Sequence, residues 1–134
     1  MIFVFGSNLA GRHGRGAAAD ALNLHGAIYG QGEGLQGNSY AIPTKDYEIK
    51  SRTLEEIKAS VFTFMQFATE HPELQFNVTR VGCGLAGYTD EQIAPMFLLA
   101  PDNCFFSVEW QKIHDDYWKK QAKQVKELLT KKTF

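Results

Sequence analysis

All twelve glycines of this 134-residue chain fall within its first 37 residues or within the short run Gly82–Gly87. Ordinary turns would scatter them. One cluster, GSNLAGRHGRG, follows the apolar run IFVF, and a second, GCGLAGY, follows FNVTRV. A third, GQGEGLQG, leads into the strand-like SYAIP. Glycine at the end of a strand lets backbone N–H groups come close to a bound anion, and a helix starting there adds the positive end of its dipole. The pattern implies a phosphate-bearing nucleotide held by loops at the carboxyl ends of strands.

The rest of the chain supplies strands and helices in alternation. Ile2–Phe5 reads as a buried strand and Gly14–Leu24 as a helix whose small Ala17, Ala18 and Ala21 allow close packing on a sheet. Gly30–Asn38 reads as a loop and Ser39–Pro43 as a second strand. Thr53 and Glu56 form a capping box before a helix in which Leu54, Ile57, Val61, Phe64, Met65 and Ala68 recur at helical spacing. Phe76–Val81 is a third strand, whose alternation does not say which face is buried. Thr89–Gln92 repeats the capping box, with Pro95 set to cut or kink the helix that follows. Asn103–Val108 reads as a fourth strand, and a long helix runs from Glu109 to about Lys132. Such alternation predicts one α/β domain over residues 1–134, three-layered, with a mostly parallel sheet and its ligand beyond the carboxyl ends of the strands.

Charge and cysteine content exclude several functions. A net charge of −1 argues against a globally basic nucleic-acid binder. The seven lysines between Lys112 and Lys132 suit a solvated helix face, with nucleic acid or an acidic partner as the sharper alternative. Two cysteines do not make a disulfide scaffold, and no signal peptide or membrane-length apolar run is present. The expected address is cytoplasmic, with no membrane partner. No His, Cys or Asp grouping has metal-ligand spacing, so neither metal nor cofactor is expected.

The first loop is not a Walker A motif, because no Gly-Lys-Ser/Thr follows, and its glycines are not in dinucleotide-fingerprint order. Its pattern, Asn8-x-x-Gly11-x-x-Gly14-x-Gly16-x-Ala18, resembles the first ligand loop of the macrodomain superfamily. The resemblance is nearest to the branch of the terminal ADP-ribose glycohydrolase and the DNA ADP-ribosyl glycohydrolase antitoxins. Tyr40-Ala-Ile-Pro-Thr-Lys45 resembles that branch's strand ending in Thr-Lys, and Val81-Gly-Cys-Gly-Leu-Ala-Gly87 its second ligand loop. The resemblance covers residues 2 to about 108.

It implies a compact macrodomain-like fold that lacks the usual leading strand. It also implies ADP-ribose, or an ADP-ribosylated substrate, as ligand. Asn8 would bind or orient the distal ribose, and Gly6, Ser7, Gly11, Arg12, His13, Gly14, Arg15 and Gly16 would surround the pyrophosphate. Thr44 and the run Gly82, Cys83, Gly84, Leu85, Ala86, Gly87 and Tyr88 would close the other side. Lys45 matches the lysine that attacks the anomeric carbon of the distal ribose, so Lys45 and Asn8 are the candidate catalytic residues. Read without the resemblance, Lys45 is an exposed lysine in a polar run.

Two departures stand out. Ala86 occupies the place of an aspartate that helps resolve the lysine adduct in the terminal glycohydrolase, which leaves Asp46, Glu33 or Asp90 to substitute. The strand that often carries an adenine-reading acid is missing, which leaves Trp110 as a stacking candidate, though a helix-initiating Trp more often packs. Cys83 has no evident base among His13, His25, His71 and His114 and is expected to be a small buried residue. The expected function is binding of ADP-ribose with hydrolysis at its distal ribose, of glycohydrolase or 1''-phosphate phosphatase type. The alternative is a non-catalytic nucleotide-binding module or sensor.

Overall fold

The computed structural model describes residues 1–131. It begins with β1 (Ile2–Asn8), α1 (Gly16–Leu24), β2 (Gly34–Gln36) and β3 (Ser39–Lys45). Then follow α2 (Leu54–Glu70), β4 (Phe76–Val78), α3 (Asp90–Ile93) and a 3₁₀ turn at Ala94–Phe97. β5 (Cys104–Phe106) and α4 (Val108–Lys131) come last; Lys132, expected in this helix, lies outside the described residues. The sheet order is β2-β3-β1-β4-β5, and every neighbouring pair is parallel except β2–β3. The α/β class and mostly parallel sheet expected from the sequence are what the chain adopts.

The period-2 alternation of β1 sends its side chains into two unequal layers. On one face Val4, Ile42, Phe76 and Val78 pack against Ile57, Val61 and Phe64 of α2, with Phe97 and Trp110 closing the same cluster. On the other, Phe5 and Ala41 pack against Ala18 and Ala21 of the short helix α1. Burying a large apolar side chain contributes roughly 1.5–3 kcal/mol. The Thr53–Glu56 capping box, present as expected, contributes about 1 kcal/mol. The buried face therefore holds α2, and the cap sets where it starts.

Several boundaries moved for identifiable reasons. β1 runs on to Asn8 because Gly6 and Ser7 still pair with Ile42 and Pro43. Pairing with β5 ends at Val78, so Thr79–Val81, expected in the strand, form its exit. The buried face that the sequence left open is that of Phe76 and Val78. α1 begins at Gly16, two residues late, because Arg15 keeps an extended backbone. Pro95 ends α3 as expected and opens the 3₁₀ turn.

The third glycine cluster is the larger correction. Gly30–Asn38 contains β2 and straps the outer edge of the sheet to the loop after β1. A Cβ on Gly32 would stand 2.6 Å from the Leu9 carbonyl oxygen, and closer still to that of Asn8. The Ser7 hydroxyl donates to the Gly32 carbonyl, and the Gly30 N–H donates to the Gly11 carbonyl at 2.8 Å. Within this cluster Gly32 and Gly37 admit the protein's own backbone, the latter that of Gly26.

Candidate functional site

The register of β1 and β3 slips by one residue at their carboxyl ends. Ser7 pairs with Pro43 but Asn8 pairs with Lys45, which leaves Thr44 as the extra residue of a bulge. A bulge re-aims the side chains beside it. Here it sets Asn8 and Lys45 as cross-strand partners at the sheet's rim, with the Leu9 N–H donating to the Lys45 carbonyl at 2.9 Å. The Thr44 hydroxyl donates back to the Ser7 carbonyl at 3.3 Å.

The loop after β1 is folded by Asn8. Its amide oxygen accepts from the Arg12 N–H at 2.9 Å, and its amide nitrogen donates to the Arg12 carbonyl at 3.0 Å. That staple turns the chain so that Gly14 and Arg15 lead straight into α1, whose N-terminus has no side-chain cap. The first amides of a helix have no partner inside it, so those of α1 face outward with their dipole. Gly16 takes φ +57, a conformation rare for side-chain-bearing residues, and the only atom a Cβ there would approach is Leu85 Cδ1, at 3.9 Å.

Opposite lies the loop Gly82–Tyr88. A Cβ on Gly6 would come 3.5 Å from the Gly82 nitrogen, so the roots of the two loops touch, and Leu85 reaches back toward Gly16 from the second loop. Ser51 Oγ donates to the Ala86 carbonyl at 2.7 Å, and the Tyr88 hydroxyl donates to the Arg52 carbonyl. These bonds tie the second loop to the segment after β3. Between the loops is a cavity of about 620 Å³, within the range of small-molecule sites.

Of the residues expected at the ligand, Gly6, Ser7, Asn8, Arg12, Gly14, Arg15 and Gly16 line this cavity. So do Thr44, Lys45, Gly82, Cys83, Gly84, Leu85 and Ala86. Four do not. Gly11 backs onto Gly30 and Gln31, where a Cβ would stand 2.8 Å from the Gln31 carbonyl carbon. His13 is buried, with Nε2 3.0 Å from the Gln31 carbonyl and 3.1 Å from Gln36 Oε1 and its ring edge-on to Phe5, so it anchors the strap. Gly87 and Tyr88 form the outer hinge of the second loop. Thr79, Arg80, Val81 and Ile49 also line the wall, and the sequence reading did not place them there. The signal for the first three was their position directly after a strand, in the same register as the glycines that follow.

The wall carries Arg12, Arg15, Lys45 and Arg80 and, among the described residues, no carboxylate. The three acids named as substitutes at the place of Ala86 are engaged or remote. Asp46 Oδ1 accepts from the N–H groups of Glu48 at 2.8 Å and Lys50 at 3.0 Å. Glu33 is exposed on the strap. Asp90 accepts from Arg80 Nε at 2.8 Å and Nη2 at 2.7 Å, and from Trp110 Nε1 at 2.7 Å. The Arg80 guanidinium, helped by Trp110, holds the Asp90 carboxyl down at about 2. Trp110 is fully buried, so it packs rather than stacks on a ligand. Cys83 is half-buried on the wall, not sealed in the core as expected, and burial pushes its thiol up to about 12, which keeps it a neutral thiol.

No grouping of three or more His, Cys, Asp or Glu side chains that could hold a metal occurs among the described residues. No described helix is long and apolar enough to cross a membrane. The lysines of α4 from Lys112 to Lys131 are exposed.

No protein-family profile and no curated protein matches the sequence. Among solved structures, the chain is similar to Thermosipho africanus DarTG in complex with ADP-ribose, with a TM-score of 0.53 and 14% identity. The match covers 81% of this chain and 39% of that one, so this chain spans about two-fifths of the length of its neighbour. At that identity the likeness is one of fold.

Proposed function

We propose that this protein binds ADP-ribose, or a close derivative, in the cavity between the loops that follow β1 and β4. One observation carries the reading: an uncapped helix N-terminus and two glycine-rich loops converge on a cavity walled by four cationic side chains and no carboxylate. Such a wall suits a diphosphate, whose oxygens accept from main-chain amides while Arg12 and Arg15, beside the α1 N-terminus, balance its charge. The Thermosipho africanus protein of the same fold is titled as a complex with ADP-ribose, which supports this ligand over other diphosphates.

The catalytic form of the reading is hydrolysis at the distal ribose. Lys45 gives up its proton to solvent and attacks the anomeric carbon, the leaving group departs with the bonding electrons and takes up a proton, and water later displaces the lysine. Asn8, paired with Lys45 across the bulge, has one amide hydrogen and one lone pair beyond its bonds to Arg12 for orienting ribose hydroxyls. Ala86 and the carboxylate-free wall favour a second reading, a module that holds ADP-ribose without turnover, because no side chain there can activate the resolving water.

Calorimetry with ADP-ribose, AMP and NAD tests the binding claim, and failure to bind ADP-ribose removes it. Incubation with ADP-ribosylated DNA, ADP-ribosylated glutamate and ADP-ribose 1''-phosphate separates enzyme from reader. Lys45→Ala is expected to keep ADP-ribose affinity and abolish any hydrolysis. Equal rates in variant and wild type would take Lys45 out of the mechanism.

A further inference from the structure

The turn after β3 places an isoleucine where backbone geometry asks for glycine. Lys45 and Ser51 form an antiparallel bridge, and between them the Asp46 N–H donates to the Lys50 carbonyl at 2.8 Å. The Ile49 N–H donates to the Asp46 carbonyl at 3.2 Å. This is a short hairpin whose last loop position is left-handed, the position where glycine relieves the clash of Cβ with the backbone. Ile49 sits there at φ 64, and it is the one non-glycine residue with positive φ among the described residues. For a β-branched side chain that conformation is a real outlier.

The surroundings over-determine it. Asp46 Oδ1 accepts from the N–H groups of both Glu48 and Lys50, which locks the turn from within. Ser51 Oγ fastens the turn's far end to the Ala86 carbonyl of the second loop. Strained residues held in this way collect at ligand clamps, where position matters more than local comfort. Ile49 has such a position: its side chain is part of the cavity wall, on the same connection as Lys45, and it is still 37% exposed. The wall's cations account for an anion but offer nothing to the carbon framework of a ligand. Ile49 does, together with Val81 and Leu85 of the same wall.

We propose that Ile49 is a ligand contact, an apolar clamp that packs on the C–H face of the sugar seated beside Lys45 and keeps water from that side. The inference rests on the ADP-ribose reading. It assigns Ile49 to the ligand rather than to the core, so the residue's strain lowers the stability of the fold while its side chain contributes to affinity.

The experiment compares wild type with Ile49→Gly and Ile49→Asn, two residues that accept a left-handed backbone. Thermal unfolding without ligand and ADP-ribose calorimetry are read on each. Both variants are expected to unfold no lower than wild type, and up to roughly 5 °C higher, although each loses an apolar side chain. Both are expected to bind ADP-ribose about tenfold more weakly, as removal of a partly buried aliphatic contact predicts. Tyr47→Ala, on the same turn but off the cavity wall, is expected to leave affinity unchanged. Unchanged affinity in the two Ile49 variants, or a fall of several degrees in their unfolding temperature, overturns the clamp while leaving the ADP-ribose reading intact. A wild type that does not bind ADP-ribose overturns that reading, and the clamp with it.

Discussion

Valine at Gly14 and alanine at Gly32 put the two kinds of glycine in this chain to opposite tests. Around Gly14 no atom beyond its own chain neighbours lies within 4 Å of where a Cβ would stand, and its backbone is not left-handed. Its side chain would enter the cavity, so stability should change by no more than about 0.5 kcal/mol. Binding should suffer, because the new branches block the approach of a phosphate to the α1 amides. Loss of one charge-assisted hydrogen bond costs about 1.5–3 kcal/mol, which weakens ADP-ribose binding by roughly ten- to a hundredfold. Around Gly32 the order reverses. A Cβ would stand 2.6 Å from the Leu9 carbonyl oxygen, against backbone that cannot swing aside. Overpacking of this kind costs about 1–3 kcal/mol, and each kcal/mol lowers the unfolding temperature of a domain this size by roughly 3–5 °C. Scanning calorimetry reads the first quantity and titration calorimetry the second. If Gly14→Val unfolds as early as Gly32→Ala yet binds ADP-ribose like wild type, the cavity is not the seat of the phosphates.

The Asp90 carboxyl, held at about 2 against an ordinary 3.8, contributes stability that is complete above pH 4 and lost as pH falls through 2. Discounted for the partial exposure of Arg80, the contribution is about 1–2 kcal/mol. Asp90→Asn should therefore be less stable at pH 7 by that amount and match wild type near pH 2 in denaturant titrations; a constant gap across the range refutes the linkage. Asn8→Ala removes both bonds to the Arg12 peptide, each worth about 0.5–1.5 kcal/mol, and should lower the unfolding temperature as well as ADP-ribose affinity. If affinity falls without any loss of stability, Asn8 acts on the ligand alone and the staple is unimportant.

Much of the site could be read from the chain itself. Apolar runs leading into glycine located β1 and β4, though their carboxyl ends moved to Asn8 and Val78; the capping box at Thr53 set the start of α2, and Pro95 marked the break after α3. Those features are local, and local sterics decide them: hydrophobic periodicity, a side chain that caps, a ring that cannot donate. The tertiary structure decided the rest. Whether a missing Cβ faces open space beside the cavity, as at Gly14, or another stretch of backbone, as at Gly32, depends on what lies opposite, and composition is identical in the two cases. The pairing of Asn8 with Lys45 arises from a one-residue slip between strands 37 positions apart along the chain, which is the span of the Thr44–Ser7 hydrogen bond. His13 left its expected place at the cavity, and Ile49, to which the sequence assigned no role, joined the wall for the same reason. A basic residue in a glycine loop was drawn inward by Gln31 and Gln36, and an aliphatic one in a polar turn was held out over the cavity by Asp46. Sequence fixes what each residue can do, and only the packing of distant segments fixes what it faces.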